Sequence, residues 1–296
     1  PSAGVLMETE VWPNLSALCR ARGIPLALAN ARLSEKSLAQ ARRLASLSRP
    51  AYGALEAVWA QTGDDARRLE MAGGTVRGVF GNLKFDATPD AGQLRQGRDW
   101  RSTSGRPVVM FASSREGEEA GFLRAIAAHR DVQWLLVPRH PQRFDEVAAL
   151  VAQAGFSVSR RSAWNGVPTP GDVWIGDSLG EMGLYYAMSD VALLGGSFAP
   201  LGGQNLIEAA ACACPVVMGP HTFNFSEAAQ LAQEAQAARR VGDIEEGVRE
   251  AVALARDPAA RAAVSAAAEQ FAAAHRGAAR KTAEAVLALL PPRAPA

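Results

Sequence analysis

The sequence predicts an α/β chain made of two Rossmann-like units, the amino-terminal one incomplete. Three observations carry that prediction. Its 296 residues exceed what one compact core usually supports. Short apolar runs alternate with longer stretches of helical period, which marks parallel α/β architecture. From Ala87 to Arg106 the composition turns to Pro, Gly, Asp, Gln and Arg without apolar period, dividing two such series.

In the first series, Val5 to Met7 reads as a strand and Leu15 to Arg22 as a helix. The opening Pro1 to Met7 looks like arrival at a buried strand rather than a natural beginning, so part of this domain is expected to precede it. Pro25 to Ala29 is the next strand, and Ser34 opens a long helix to about Ser48. A strand follows at Ala57 to Ala60, then a helix over Asp64 to Met71 capped by Thr62, then a strand from Val76 to Phe80. Residues 1–88 thus form the first domain and 89–106 a linker or irregular helix. The second domain, 107–270, has strands at Pro107 to Ala112, Trp134 to Pro138, Val173 to Ile175, Val191 to Leu194 and Pro215 to Met218. Helices are expected at Glu116 to His129, Pro141 to Ala154, Gly180 to Met188 and Leu206 to Ala213. From Ile244 to Leu290 the chain is Ala- and Arg-rich packing helix, and 271–296 is assigned as terminal helix and tail.

Composition excludes several classes. A formal net charge of +1 gives no reason to expect nucleic acid as a partner. Cys19, Cys212 and Cys214 are odd in number and lack metal spacing, which argues for a reducing compartment and buried structural thiols. The histidines, His129, His140, His221 and His275, never pair at metal-ligand spacing, so no metal or other cofactor is expected. No apolar run is long enough to cross a bilayer, and no signal peptide is read.

Ligands of open parallel sheets bind beyond the carboxyl ends of strands, so the loops there should carry the chemistry. Gly195, Gly196 and Ser197 end a buried strand, and Gly202 and Gly203 precede a helix whose N-cap is Asn205. Free N–H groups at such a start favour a phosphate. Glu208 either completes a capping box with Asn205 or accepts hydrogen bonds from a ribose diol. Arg139, held between Pro138 and Pro141 at a strand end, is a phosphate candidate through its planar fork. Ser178 and Glu181 read as a second capping box, with Gly180 allowing close approach to a base or ribose. Ser113 and Ser114 open a helix start able to bind a carboxylate, while Glu116, Glu118 and Glu119 read as ordinary complementation of its dipole. Glu8 and Glu10 sit in a turn after the first strand, for acid–base work or helix N-terminal charge. Lys84 lies in a polar loop where it could neutralise a departing phosphate. Arg32, Lys36, Arg42, Arg43 and Arg49 make either a soluble helix face or a surface for anionic lipid.

Eight strings occur in an order and spacing that resemble bacterial 3-deoxy-D-manno-octulosonic acid (Kdo) transferases. They are METEVWPNL from Met7, NARLSEKS from Asn30, GNLKFD from Gly81, SSREGEE from Ser113, VPRHPQRF from Val137, GDSLGEM from Gly176, GGSFAPLGGQNLIEAA from Gly195 and MGPHTFNF from Met218. The resemblance implies the GT-B glycosyltransferase fold and an inverting, metal-independent transfer of Kdo from CMP-Kdo to a lipid A precursor. It implies nucleotide contacts at Pro138, Arg139, Leu179, Gly180, Glu181, Asn205, Leu206, Ile207 and Glu208. Glu8 and Lys84 match positions credited with stabilising the transition state, and Ser113, Ser114, Ser197, Gly202 and Gly203 are candidate donor-sugar contacts.

The implied partners are the donor, the lipid acceptor and the cytoplasmic face of the bacterial inner membrane. The family's general base is a glutamate ahead of the position of Glu8, in a segment that would also carry the membrane anchor. Without it, the chain is expected to bind nucleotide and not to catalyse. The family usually has His where this chain has Arg115 and Gln204. Two alternatives stay open: a non-catalytic cytidine-nucleotide-binding remnant, and a GT-B transferase that uses another nucleotide sugar.

Overall fold

A computed structural model describes residues 1–290. It divides into two compact units, 1–86 with the segment from His275 onward, and 87–274. The part of the assigned tail at 291–296 lies outside the described residues.

The first unit is a four-stranded parallel sheet in the order β1 (Gly4–Met7), β2 (Leu26–Ala31), β3 (Ala57–Ala60), β4 (Val76–Val79). The connections are α1 (Pro13–Ala21), α2 (Glu35–Arg43), α3 (Ala45–Gly53) and α4 (Gly63–Ala72). β2 and β3 are buried along their whole lengths, as continuous apolar runs in parallel sheets should be. β1 departs from expectation: it is the edge strand, and Val5 and Met7 are exposed. Leu28, Leu55, Val58 and Leu69 pack on one face. On the other, Ala27, Ala29, Ala57 and Trp59 lie beneath Ala285, Val286 and Leu289 of the carboxy-terminal helix Ala278–Leu287 and its extension. The small residues of β2 let that helix approach. Asp86 ties it down by accepting from the Ala279 N–H at 2.7 Å. The helix expected to run unbroken to Ser48 stops at Leu44 (φ −105°, ψ 36°) and restarts as α3, which accommodates Pro50. The Ser48 hydroxyl crosses the break to the Ala41 carbonyl at 2.6 Å.

The second unit opens with α5 (Ala91–Thr103), so the stretch read as a linker or irregular helix is a regular helix belonging to this unit. Asp90 caps it through the Gln93 N–H at 2.8 Å. Gly97 permits a close approach: a Cβ there would sit 2.5 Å from the Leu184 carbonyl. Trp100 anchors the same face, edge-on to Trp164 at 5.4 Å. Polar composition hides these two contact residues from any periodic signal.

Seven parallel strands follow: β5 (Val108–Ser114), β6 (Gln133–Pro138), β7 (Val158–Arg160), β8 (Val173–Ile175), β9 (Val191–Leu194), β10 (Val216–Met218) and β11 (Ala238–Arg240). Their order is β11-β10-β9-β5-β6-β8-β7. The short outer strands β7 and β11, each ending in Arg, were not expected from the sequence. The helices are α6 (Glu119–Ile126), α7 (Phe144–Gln153), α8 (Met182–Ala187), α9 (Leu206–Ala211), α10 (Ser226–Glu234), α11 (Ile244–Arg256) and α12 (Pro258–Ala274). Phe111, Phe122, Trp134, Ile175 and Leu193 form the core, each fully buried aromatic or aliphatic side chain contributing about 2 kcal/mol. β5, β6 and β9 lie side by side at its centre, and the loops leaving them are the ones singled out by sequence.

Candidate functional site

In the first unit, the segments after β1, β2 and β4 converge. Glu8 turns out of β1 with φ 56° and hydrogen-bonds the Ala29 carbonyl through its N–H at 3.0 Å. Its carboxylate pairs with Arg32 at 3.3 Å and Lys84 at 3.6 Å. Asn30, also left-handed at φ 51°, is buried and accepts the Leu83 N–H at 3.1 Å, which fixes the loop presenting Lys84. The two residues singled out as transition-state stabilisers, far apart in sequence, therefore form one ion pair.

In the second unit, β5 and β6 pair up to Ser114 and Pro138, and the Arg139 N–H continues the ladder to the Ser114 carbonyl at 3.0 Å. The Arg139 side chain is exposed, and among the described residues it makes no hydrogen bond or ion pair. Its charge acts on Glu208: burial pushes the Glu208 carboxyl up, and Arg139 pulls it back down. Asn205 caps α9 as expected, accepting the Ile207 N–H at 3.1 Å. Glu208 does not complete a capping box. Among the described residues its half-buried carboxylate accepts no hydrogen bond. Leu206 and Ile207 are buried behind it.

The loop after β8 differs from its expected form. Ser178 does not cap a helix; its hydroxyl bonds the Glu181 carboxylate and the Tyr185 hydroxyl, and the N-cap position is Glu181 itself. Glu181 is held by Arg161 at 2.8 Å. Gly180 has φ 77°, and its carbonyl accepts from Gln93 of α5 at 2.8 Å. Asp177 anchors the base of the loop, accepting from the Ser162 N–H at 2.8 Å, the Ser162 hydroxyl at 2.6 Å and Arg160 at 2.7 Å. Burial alone would raise its carboxyl, but these partners hold it below the ordinary carboxylate range. Leu179 is left 74% exposed at the tip.

The glycine loop also needs correction. Its amides do not face an empty phosphate cradle. Glu118, 4% exposed, accepts N–H bonds from Gly196 at 2.8 Å, Arg115 at 2.9 Å, Phe198 at 3.2 Å and Ala199 at 3.3 Å. The Gly203 N–H goes to the Gly196 carbonyl at 2.8 Å. Ser197 is fully buried, donating to the Leu194 carbonyl and accepting the Gly219 N–H at 2.8 Å. Ser114 is 1% exposed and donates to Glu119 at 2.9 Å, and Glu119 in turn holds Arg143 at 2.7 Å. The hydroxyls of Ser114 and Ser197 are thus engaged in the fold and unavailable to a sugar. Gly202 and Gly203 are buried against the segment 222–224.

Glu118, Glu119, Asp177, Gln93 and Arg161 were missed as loop-forming residues by sequence reasoning. Only the run of acids after a strand hinted at the first two. Among the described residues no group of His, Cys, Asp and Glu comes together that could hold a metal, and no helix is long and apolar enough to cross a membrane.

The family described as 3-deoxy-D-manno-octulosonic-acid transferase (kdotransferase) matches residues 1–87. A 3-deoxy-D-manno-octulosonic acid transferase of Bordetella pertussis is 51% identical over 97% of this chain and 69% of its own length. One of Haemophilus influenzae is 34% identical over 85% of this chain, which spans 61% of that relative. Among solved structures, the C-terminal CMP-Kdo binding domain of WaaA from Acinetobacter baumannii aligns with a TM-score of 0.56 at 30% identity, covering 62% of this chain and 98% of that domain. Anabaena Alr3699/HepE, solved with UDP-glucose, aligns over 92% of this chain and 75% of its own with a TM-score of 0.58. At 16% identity it speaks for the GT-B fold alone.

Proposed function

Because the chain belongs to the Kdo transferase family, we propose that its second unit binds CMP-Kdo and that it serves the transfer of Kdo to a lipid A precursor. The carrying observation is the pair Arg139 and Glu208. The half-buried Glu208 carboxylate has no protein donor to displace among the described residues, so both its oxygens can take hydrogen bonds from a ligand. A ribose diol supplies two hydroxyl donors, and the guanidinium beside it suits the single phosphate of a cytidylate. Leu179, Gly180 and Glu181 offer backbone to the base, and Pro138, Asn205, Leu206 and Ile207 frame the pentose and phosphate.

Following the family resemblance, the transfer is inverting and needs no metal. A sugar hydroxyl of the acceptor attacks the anomeric carbon, and CMP departs with the electrons of the broken bond. Glu8 and Lys84 are assigned to transition-state stabilisation, with charge growing on the leaving phosphate. The lipid acceptor puts this chemistry at the cytoplasmic face of the inner membrane. Exposed Arg42, Arg43, Leu44, Leu47 and Arg49 on α2 and α3 mix basic and apolar groups as an anionic lipid surface requires.

The test is a titration of this chain with CMP, UMP and UDP by calorimetry. CMP should bind most tightly, and equal or tighter binding of UDP overturns the reading. Glu208→Ala should weaken CMP by about 1–3 kcal/mol, and an unchanged affinity removes the ribose role.

A further inference from the structure

We infer that Arg115 reads the carboxylate of the donor's sugar acid, as a subsite separate from the phosphate site at Arg139. The inference rests on the donor assignment above. CMP-Kdo carries two anionic groups, a phosphate diester and a sugar carboxylate, and the loops at the carboxyl ends of this sheet present two unengaged guanidiniums.

Four other arginines at these strand ends are spoken for. Arg143 is held by Glu119 at 2.7 Å and Glu146 at 3.0 Å. Arg160 is held by Asp177 and Asp145, each at 2.7 Å. Arg161 pairs with Glu181 at 2.8 Å. Arg240 reaches the Gly219 carbonyl at 3.2 Å and the Thr222 hydroxyl at 3.1 Å. Among the described residues, Arg115 and Arg139 make no side-chain hydrogen bond or ion pair.

Their placement is paired. Ser114 and Pro138 are register partners on β5 and β6, and each arginine is the next residue. Neighbouring strands lie about 4.8 Å apart, so the two arginines leave the sheet from adjacent strand ends. The charge of Arg139 reaches Glu208. Arg115 lies at the loop that leaves β9: a Cβ on Gly196 would meet its Cγ at 3.6 Å and the Gln204 Nε2 at 3.2 Å. Arg115 and Gln204 thus cover the same glycine, one offering a cation and the other an amide donor.

The loop beneath them explains why a cation is needed. Glu118 has taken the N–H groups of Gly196, Phe198 and Ala199. An anion over Gly196 therefore finds no backbone nest there and faces a buried carboxylate below. A side-chain cation offsets that charge, and half-buried Arg115 is positioned at this loop. A carboxylate matches its planar fork in two parallel hydrogen bonds.

The experiment compares CMP with freshly prepared CMP-Kdo as competitors of a fluorescent CMP analogue, on the wild-type chain and on Arg115→Ala and Arg115→Lys. Wild type should bind CMP-Kdo more tightly than CMP. Arg115→Ala should remove about tenfold or more of that advantage, leaving CMP itself within about twofold. Arg115→Lys, which keeps the charge but not the fork, should restore part of it. Three results overturn the inference alone: no CMP-Kdo advantage in wild type, an undiminished advantage in Arg115→Ala, or a parallel loss of CMP in that variant. Wild type that binds no CMP overturns the donor assignment beneath it as well.

Discussion

Both units place a glutamate just beyond a central or edge strand, next to a residue forced into left-handed backbone, yet they treat it in opposite ways. Glu8, itself at φ 56°, leaves β1 and points outward to two cations, Arg32 and Lys84. Glu118, five residues beyond the left-handed Ser113 at the end of β5, is folded under its loop and satisfied by four backbone N–H groups. One carboxylate is neutralised by mobile side-chain charge, the other by fixed amides. The first keeps solvent access beside its two cations; the second sets the shape of the loop. Two carboxylates that follow strands, one at a sheet edge and one at a sheet centre, thus sit in different settings, the proposed reactive one half-exposed and the constructional one buried.

The largest expected effect tests the constructional half. Glu118→Ala strips acceptors from amides in a loop that has little access to water. An unsatisfied buried donor costs about 1–3 kcal/mol, and several are exposed to that loss together. A fall in unfolding free energy of about 3 kcal/mol or more is expected in urea melts, with CMP-Kdo binding lost along with it. A loss below about 1 kcal/mol would mean that the loop holds its shape without Glu118 and would erase the contrast with Glu8.

An intermediate effect is expected at Asp177, which resembles Glu118 in burial but is held partly by a cation, Arg160. Its folded carboxyl lies below the ordinary value of 3.8. It therefore stabilises the fold above that value, and the contribution is lost as pH falls through the lower, folded-state value. Asp177→Asn should cost about 1–2 kcal/mol at neutral pH and flatten the acid limb of the stability profile. Equal acid limbs in wild type and variant would sink this assignment. Glu208 has the opposite sign. Burial raises its carboxyl above the ordinary 4.5, so the ionised form proposed to accept ribose hydroxyls is lost at a higher pH than usual. The ratio of wild-type to Glu208→Gln affinity for CMP should fall as the pH is lowered toward 4.5, because the Gln variant cannot titrate. A ratio independent of pH would leave Glu208 without its proposed part.

The strands that frame this contrast were legible in the sequence, and the reason the contrast itself was not is physical. Val173–Ile175 and Val191–Leu194 were found to the residue, because strands buried on both faces are uninterrupted apolar runs. Glu8, Lys84, Arg139 and Glu208 were named because ligand groups collect at strand ends. What did not show was the direction in which a strand-end side chain points. The acids after Ser114 read as dipole complementation, yet Gly117 at φ 90° turns the chain so that Glu118 and Glu119 go inward. Nothing in composition separates a carboxylate that faces solvent from one tucked beneath a glycine loop. Similarly, α5 was not read as a regular helix because its packing depends on Gly97 and Trp100 meeting partners distant in sequence. Period and propensity cannot register such contacts.

The smallest expected effect belongs to the reactive half, and its smallness is the point. The Glu8 and Lys84 side chains are 32% and 39% exposed and 3.6 Å apart. Exposed pairs of this kind contribute about 0–1 kcal/mol, and salt screens them. Glu8→Gln should therefore shift unfolding free energy by less than about 1 kcal/mol, and raising salt should shrink even that difference. Should Glu8→Gln instead cost as much as Glu118→Ala, Glu8 would be a structural anchor. Its left-handed backbone would then serve only to turn the chain, and its assignment to the transition state would fail.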